Sequence, residues 1–118
     1  MNLQYENGTL IYLQVKSATK NQETPPVVFA KTNVDKAILH KEKNKLKLQF
    51  AETARYIGGT IDGLLCADSK FFGQVSYEDD QMQPLEGKYY SNGTGLVIKG
   101  RFVGRKNSHF ILELNYNN

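Results

Sequence analysis

Hydrophobic and polar residues alternate through most of this chain. The alternation is cleanest over residues 45–50, where Leu46, Leu48 and Phe50 interleave with Lys45, Lys47 and Gln49. A period of two belongs to a strand with one buried face. Near the N-terminus the same period puts Ile11, Leu13 and Val15 on one face, with Leu10, Tyr12 and Gln14 on the other. Asn7-Gly8 stands between this run and Leu3-Gln4-Tyr5-Glu6, which predicts a hairpin turn, because type I′ turns need φ > 0 at both central residues. Residues 17–26 are polar and contain Pro25-Pro26, so they read as an exposed loop. Val27-Val28-Phe29-Ala30 then reads as a short strand or a plug beneath that loop.

Residues 33–43 fit two descriptions. Asn33 would cap a helix carrying Val34, Ala37, Ile38 and Lys41 along one side. Alternatively, residues 37–40 pair with residues 45–50 across a turn at 41–44. Residues 51–54 have room for one helical turn.

From residue 56 to residue 116, β-rich runs alternate with glycines and turn residues. Ile57, Ile61 and Leu65 share a face with Gly59 and Gly63; Phe71, Val75 and Tyr77 share one with Gly73. Glu78-Asp79-Asp80 and Pro84 mark a surface loop. Asn92-Gly93 predicts a second hairpin, joining 88–90 to 95–103, with Leu96, Ile98 and Phe102 inward and Lys99 and Arg101 outward. Lys106-Asn107-Ser108 turns the chain into a last strand that presents Phe110, Leu112, Leu114 and Tyr116 on one side. Glycines recurring inside strands beside aromatics allow a sheet to coil until its edges meet. The predicted architecture is a single all-β domain over residues 1–118: a small antiparallel up-and-down β-barrel or a strongly curved sandwich of seven to nine strands, with at most one short helix near 33–43.

Leu85-Glu86-Gly87-Lys88-Tyr89-Tyr90 and Ile98-Lys99-Gly100-Arg101-Phe102 resemble the glycine-bearing strands of calycin-type up-and-down barrels such as lipocalins and avidins. The resemblance covers about half the chain and implies architecture only. The Gly-x-Trp motif of the first lipocalin strand is missing, and the chain has no tryptophan.

Composition narrows the function. With 118 residues, 40% hydrophobic and 23% charged, the chain is an ordinary globular domain long enough to build a core. The net charge of +3 is too small for the dense basic stripe of a typical nucleic-acid binder. Lys41, Lys43, Lys45 and Lys47, together with Lys99, Arg101, Arg105 and Lys106, offer a phosphate-contacting set. The same lysines also serve to keep a strand soluble and unpaired, and that reading is preferred. Stacking of single-stranded bases would need exposed aromatics beside such charges, with Tyr89-Tyr90 the nearest candidate. Nucleic acid is therefore disfavoured as a partner. No apolar run approaches the length of a membrane-spanning helix, no signal-peptide pattern opens the chain, and a cytoplasmic protein is expected.

Little here points to catalysis. Cys66 is the lone cysteine and has only His40 or His109 as a prospective base. A lone cysteine after Leu64-Leu65 is better read as a small packing residue. The histidines and cysteine have no zinc-ligand spacing, and Glu78-Asp79-Asp80 lacks the layout of a calcium loop. No cofactor or metal is expected. Asn7-Gly8-Thr9 and Asn92-Gly93-Thr94 fit the glycosylation sequon but are better explained as turns.

The seven tyrosines and six phenylalanines carry the functional expectation. Inward aromatics either fill a small barrel or line a pocket in it. The candidate ligand-binding residues are Tyr56, Phe71, Tyr77, Tyr89, Tyr90 and Phe102. Two non-enzymatic functions follow. In one, a small apolar or amphipathic ligand enters the barrel past the loops at 17–26 and 78–84. In the other, the core is solid and the outer sheet docks a protein partner, as inhibitor and immunity-type proteins do.

Overall fold

The computed structural model describes residues 2–14, 27–53, 57–105 and 107–116. They form eight antiparallel strands: β1 Asn2–Gln14, β2 Val27–His40, β3 Lys45–Phe50, β4 Gly59–Leu65, β5 Lys70–Tyr77, β6 Met82–Ser91, β7 Gly95–Phe102 and β8 Ser108–Tyr116. Each strand pairs with its neighbours in sequence, and β8 returns to β1, so the sheet closes on itself. Closure gives every strand a partner on each side, although β2 runs past the end of β3 and over residues 27–33 has its ladder with β1 alone. The expected all-β up-and-down barrel is the observed fold.

The alternation of the sequence is the alternation of the wall. Leu46, Leu48 and Phe50 of β3 are buried, and Lys45, Lys47 and Gln49 are exposed. Leu96, Ile98 and Phe102 of β7, and Phe110, Leu112 and Leu114 of β8, point into the same core. Phe71 and Val75 do so from β5, with Tyr77 and Tyr116 packed against its ends.

Several expectations are corrected. Asn7-Gly8 is not a hairpin: β1 runs straight through it, and neither residue has a positive φ. A register shift between Tyr5 and Asn7 against β8 leaves Glu6 as an extra residue. This bulge switches the inward parity, so Tyr5 is buried on one side of it and Leu10 and Tyr12 on the other.

Of the two descriptions of residues 33–43, the strand pairing is the observed one. Here β2 pairs with β3 from Val34↔Phe50 to His40↔Lys45, and a turn occupies 41–44. Asp35 is skipped in that register. The bulge places Val34 and Ala37 on the inner face three residues apart, which is the spacing of a helix.

Residues 51–53 form no helical turn. Ile57 precedes β4 and is exposed, so it does not join Ile61 and Leu65 inside. The loop expected over 78–84 shrinks to a tight turn. The Tyr77 N–H donates to the Gln81 carbonyl, and Pro84 lies within β6. The second hairpin stands, with Gly93 at φ 85°.

Aromatic rings fill the lumen. Tyr12 stacks on Phe102 at 5.9 Å, Phe102 meets Phe110 at 5.7 Å, and Phe110 meets Phe71 at 6.5 Å. Phe71, Gly87, Gly100 and Phe110 lie on one inward rung of four neighbouring strands. The two glycines supply no side chains there, and the Phe110 ring lies over Gly100. A Cβ on Gly100 would stand 2.9 Å from the Phe110 ring.

At the end where β1 begins, Tyr5 stacks on Tyr116 at 5.2 Å. Burial, the neighbouring Tyr116 and a hydrogen bond with it push the Tyr5 hydroxyl up to about 12 from its usual 10.0. Folded Tyr5 thus keeps a proton that the unfolded chain loses near pH 10, and its contribution is intact below that pH. Stability is expected to fall as pH rises from about 10 to about 12. Urea midpoints across that window check this, and Tyr5→Phe should flatten the decline.

Candidate functional site

The six predicted ligand-binding residues do not form one pocket. Tyr56 lies outside the described residues. Phe71 is fully buried in the core, whereas Phe102 and Tyr77, the latter edge-on against Phe50 at 6.1 Å, also line the barrel mouth. Tyr89 is half-buried, and its hydroxyl donates to the Cys66 carbonyl at 2.9 Å, pinning the turn before β5. Tyr90 belongs to the opposite face of β6 and is 47% exposed, so it cannot line the lumen. Side-chain alternation requires that split, since neighbours on a strand face opposite ways. The loop expected at 17–26 also lies outside the described residues.

Two concavities stand out among the described residues. One is the mouth of the barrel at the Gln14 end, about 140 Å³, lined by Tyr12, Tyr77, Gln83, Phe102, Arg105 and His109. Gln83 is the buried polar side chain there. The opening is well below the ~300–1,000 Å³ of sites for drug-sized ligands.

The other concavity is a groove of about 630 Å³ on the outer wall of β5–β8. Its floor is the backbone at Gly87 and Gly100, and its sides include Phe72 and Tyr90, 48% and 47% exposed. Lys70, Lys88, Lys99 and Arg101 surround it. The wall continues onto β4, where exposed Leu64 stands directly opposite Phe72.

The two groups of cations singled out from sequence are not one surface. Lys45 and Lys47 are on β3, four strands round the barrel from Lys99 and Arg101 on β7. Lys47 also faces Asp62 across the β3–β4 pair. In place of that set, Lys70 and Lys88 join Lys99. The signal for them was present: Phe71 inward forces Lys70 and Phe72 outward, and the register through Asn92-Gly93 sets Lys88 opposite Lys99.

Cys66 is a half-buried free thiol that donates weakly to the Leu64 carbonyl at 3.8 Å. It sits at the end of β4, whereas His109 begins β8 at the opposite end of the barrel. His40 shares the Cys66 end, two strands away. Among the described residues, no three His, Cys, Asp or Glu side chains cluster as metal ligands, and no helix is long and apolar enough to cross a membrane.

Fold and surface together define the class: a small closed antiparallel barrel with an aromatic-packed lumen and an outer groove that is aromatic and basic. No protein-family model, curated protein or solved structure matches this chain.

Proposed function

We propose that the protein is a non-enzymatic binding module with a solid core, whose working surface is the outer wall of β5–β8. The observation that carries this reading is the pair of half-exposed rings, Phe72 and Tyr90, flanking a groove several times larger than the barrel mouth. Exposed aromatics grouped in a concavity and ringed by polar residues mark interaction sites.

A second reading has its own support. The mouth joins the Tyr12 and Phe102 rings to Gln83, Arg105 and His109, which suits a small amphipathic ligand held by its polar end. The free Cys66 thiol fits the proposed cytoplasmic location.

Native mass spectrometry of freshly purified protein separates the two. A bound species lost from a Phe72→Ser/Tyr90→Ser variant of unchanged Tm places the site on the wall. A bound small molecule that survives those changes, and disappears with Arg105→Ala, places it at the mouth and overturns the wall reading.

A further inference from the structure

The wall groove is built from two outward rungs. In the first, Phe72 stands opposite Glu86, Glu86 opposite Arg101, and Arg101 opposite His109. In the second, Lys70 stands opposite Lys88 and Lys88 opposite Lys99. Like charges directly opposite one another on neighbouring strands are destabilising, yet here three follow in a row. Glu86 does not neutralise the row, because the Arg101 guanidinium holds its carboxylate, with Nε donating at 2.6 Å. The lysine rung ends on β8 at the apolar Ile111. Phe72 flanks the row on one side and Tyr90 on the other, the Lys99 ammonium lying 5.7 Å from the Tyr90 ring centroid.

We propose that this wall binds single-stranded nucleic acid, with bases stacked on Phe72 and Tyr90 and the intervening phosphates on Lys70, Lys88 and Lys99. The inference rests on the outer-wall reading above and names its partner. A row of lysines is a poor core for a protein interface, from which lysine is depleted, but a good set of point charges for phosphates. The rings stand about 14 Å apart by strand geometry, so one base cannot touch both. A chain with a base at each ring carries its phosphodiesters across the lysine row between them. A duplex keeps its bases stacked on one another, and among the described residues no helix or protruding ribbon leaves the barrel to enter a groove. A base arriving on Tyr90 displaces the Lys99 ammonium, which then meets the adjacent phosphate.

The test is fluorescence anisotropy on the whole chain with oligothymidylate and oligouridylate of about twelve nucleotides, a duplex of equal length, and polyglutamate. Both single strands should bind in preference to the duplex and polyglutamate. Three phosphate contacts give a slope of log affinity against log salt near −2, and Lys88→Ala should reduce its magnitude by about 0.7. Phe72→Ala and Tyr90→Ala should each weaken binding about ten-fold with the slope unchanged. All three side chains are exposed, so circular dichroism and Tm should match the parent.

Absence of single-strand binding at low salt overturns the inference. So does equal binding of duplex that is insensitive to the ring substitutions, which is the behaviour of a diffuse basic surface. Tighter binding of polyglutamate, lost with the same lysines and rings, also overturns it while leaving the outer-wall reading in place. A difference between the thymidylate and uridylate affinities assigns the strand as DNA or RNA.

Discussion

Phe110→Ala is expected to lower the unfolding free energy by about 3–5 kcal/mol, toward the upper end of that range. The ring is 1% exposed and lies between Phe71 and Phe102. Removing a buried aromatic forfeits its transfer from water and leaves a void unless neighbours relax into it. Here they have little to relax with, because Gly87 and Gly100 lie beside Phe110 on the same rung and carry no side chains. Urea denaturation gives the measurement, with Phe72→Ala as control: the same residue type on the same barrel, half exposed. The control should stay within about 1 kcal/mol of the parent. Equal losses from the two substitutions would mean that the lumen is not packed as described, and would revive the interior as a ligand site. For a domain whose whole stability is about 5–15 kcal/mol, the Phe110 loss is a large fraction.

Gly63→Ala is the second large effect. Gly63 stands opposite Gly73 across the β4–β5 pair, and the Phe71 ring crosses both. A Cβ at Gly63 would lie 2.4 Å from Cε1 and Cζ of that ring, and one at Gly73 2.9 Å from Cζ. The ring has no route of escape, since Phe71 is fully buried and meets Phe110 on its far side. Overpacking of this kind costs about 1–3 kcal/mol, and the trapped ring puts Gly63→Ala at or above the top of that range. If the ring is the cause, Phe71→Leu should relieve it. The double variant should be less destabilised than the sum of the singles by about 0.5–3 kcal/mol. Simple additivity would place the strain in the backbone, against the Phe72 carbonyl at 3.1 Å.

Both predictions depend on features that alternation alone could only suggest. The strands from β3 onward were legible where apolar and polar residues alternate, as in Leu46, Leu48 and Phe50 of β3. The misread hairpin at Asn7-Gly8 and the undecided stretch at 33–43 both fall at bulges. At Asp35 an extra residue turns the inner spacing from two to three, so Val34 and Ala37 mimic a helix face. At Glu6 a bulge reverses parity inside a long strand, and the adjacent Asn7-Gly8 looks like a turn. A bulge is a choice between registers against a partner strand, and β1's partner β8 lies about a hundred residues away. The outer groove was half legible. Tyr90 had to oppose Tyr89, but the Lys70–Lys88–Lys99 row exists only once three strands are aligned.

The chain by itself determined which residues turn inward where alternation is regular, as in β3, because solvation and side-chain geometry act over two or three neighbours. It also determined that glycines would interrupt those strands beside aromatics. Only the tertiary structure decided that β8 meets β1 and that the rings of four strands meet in one lumen. It alone set three lysines shoulder to shoulder on the outside. The physical reason is that twist, bulges and register accumulate round the barrel, and their sum is not a property of any local stretch.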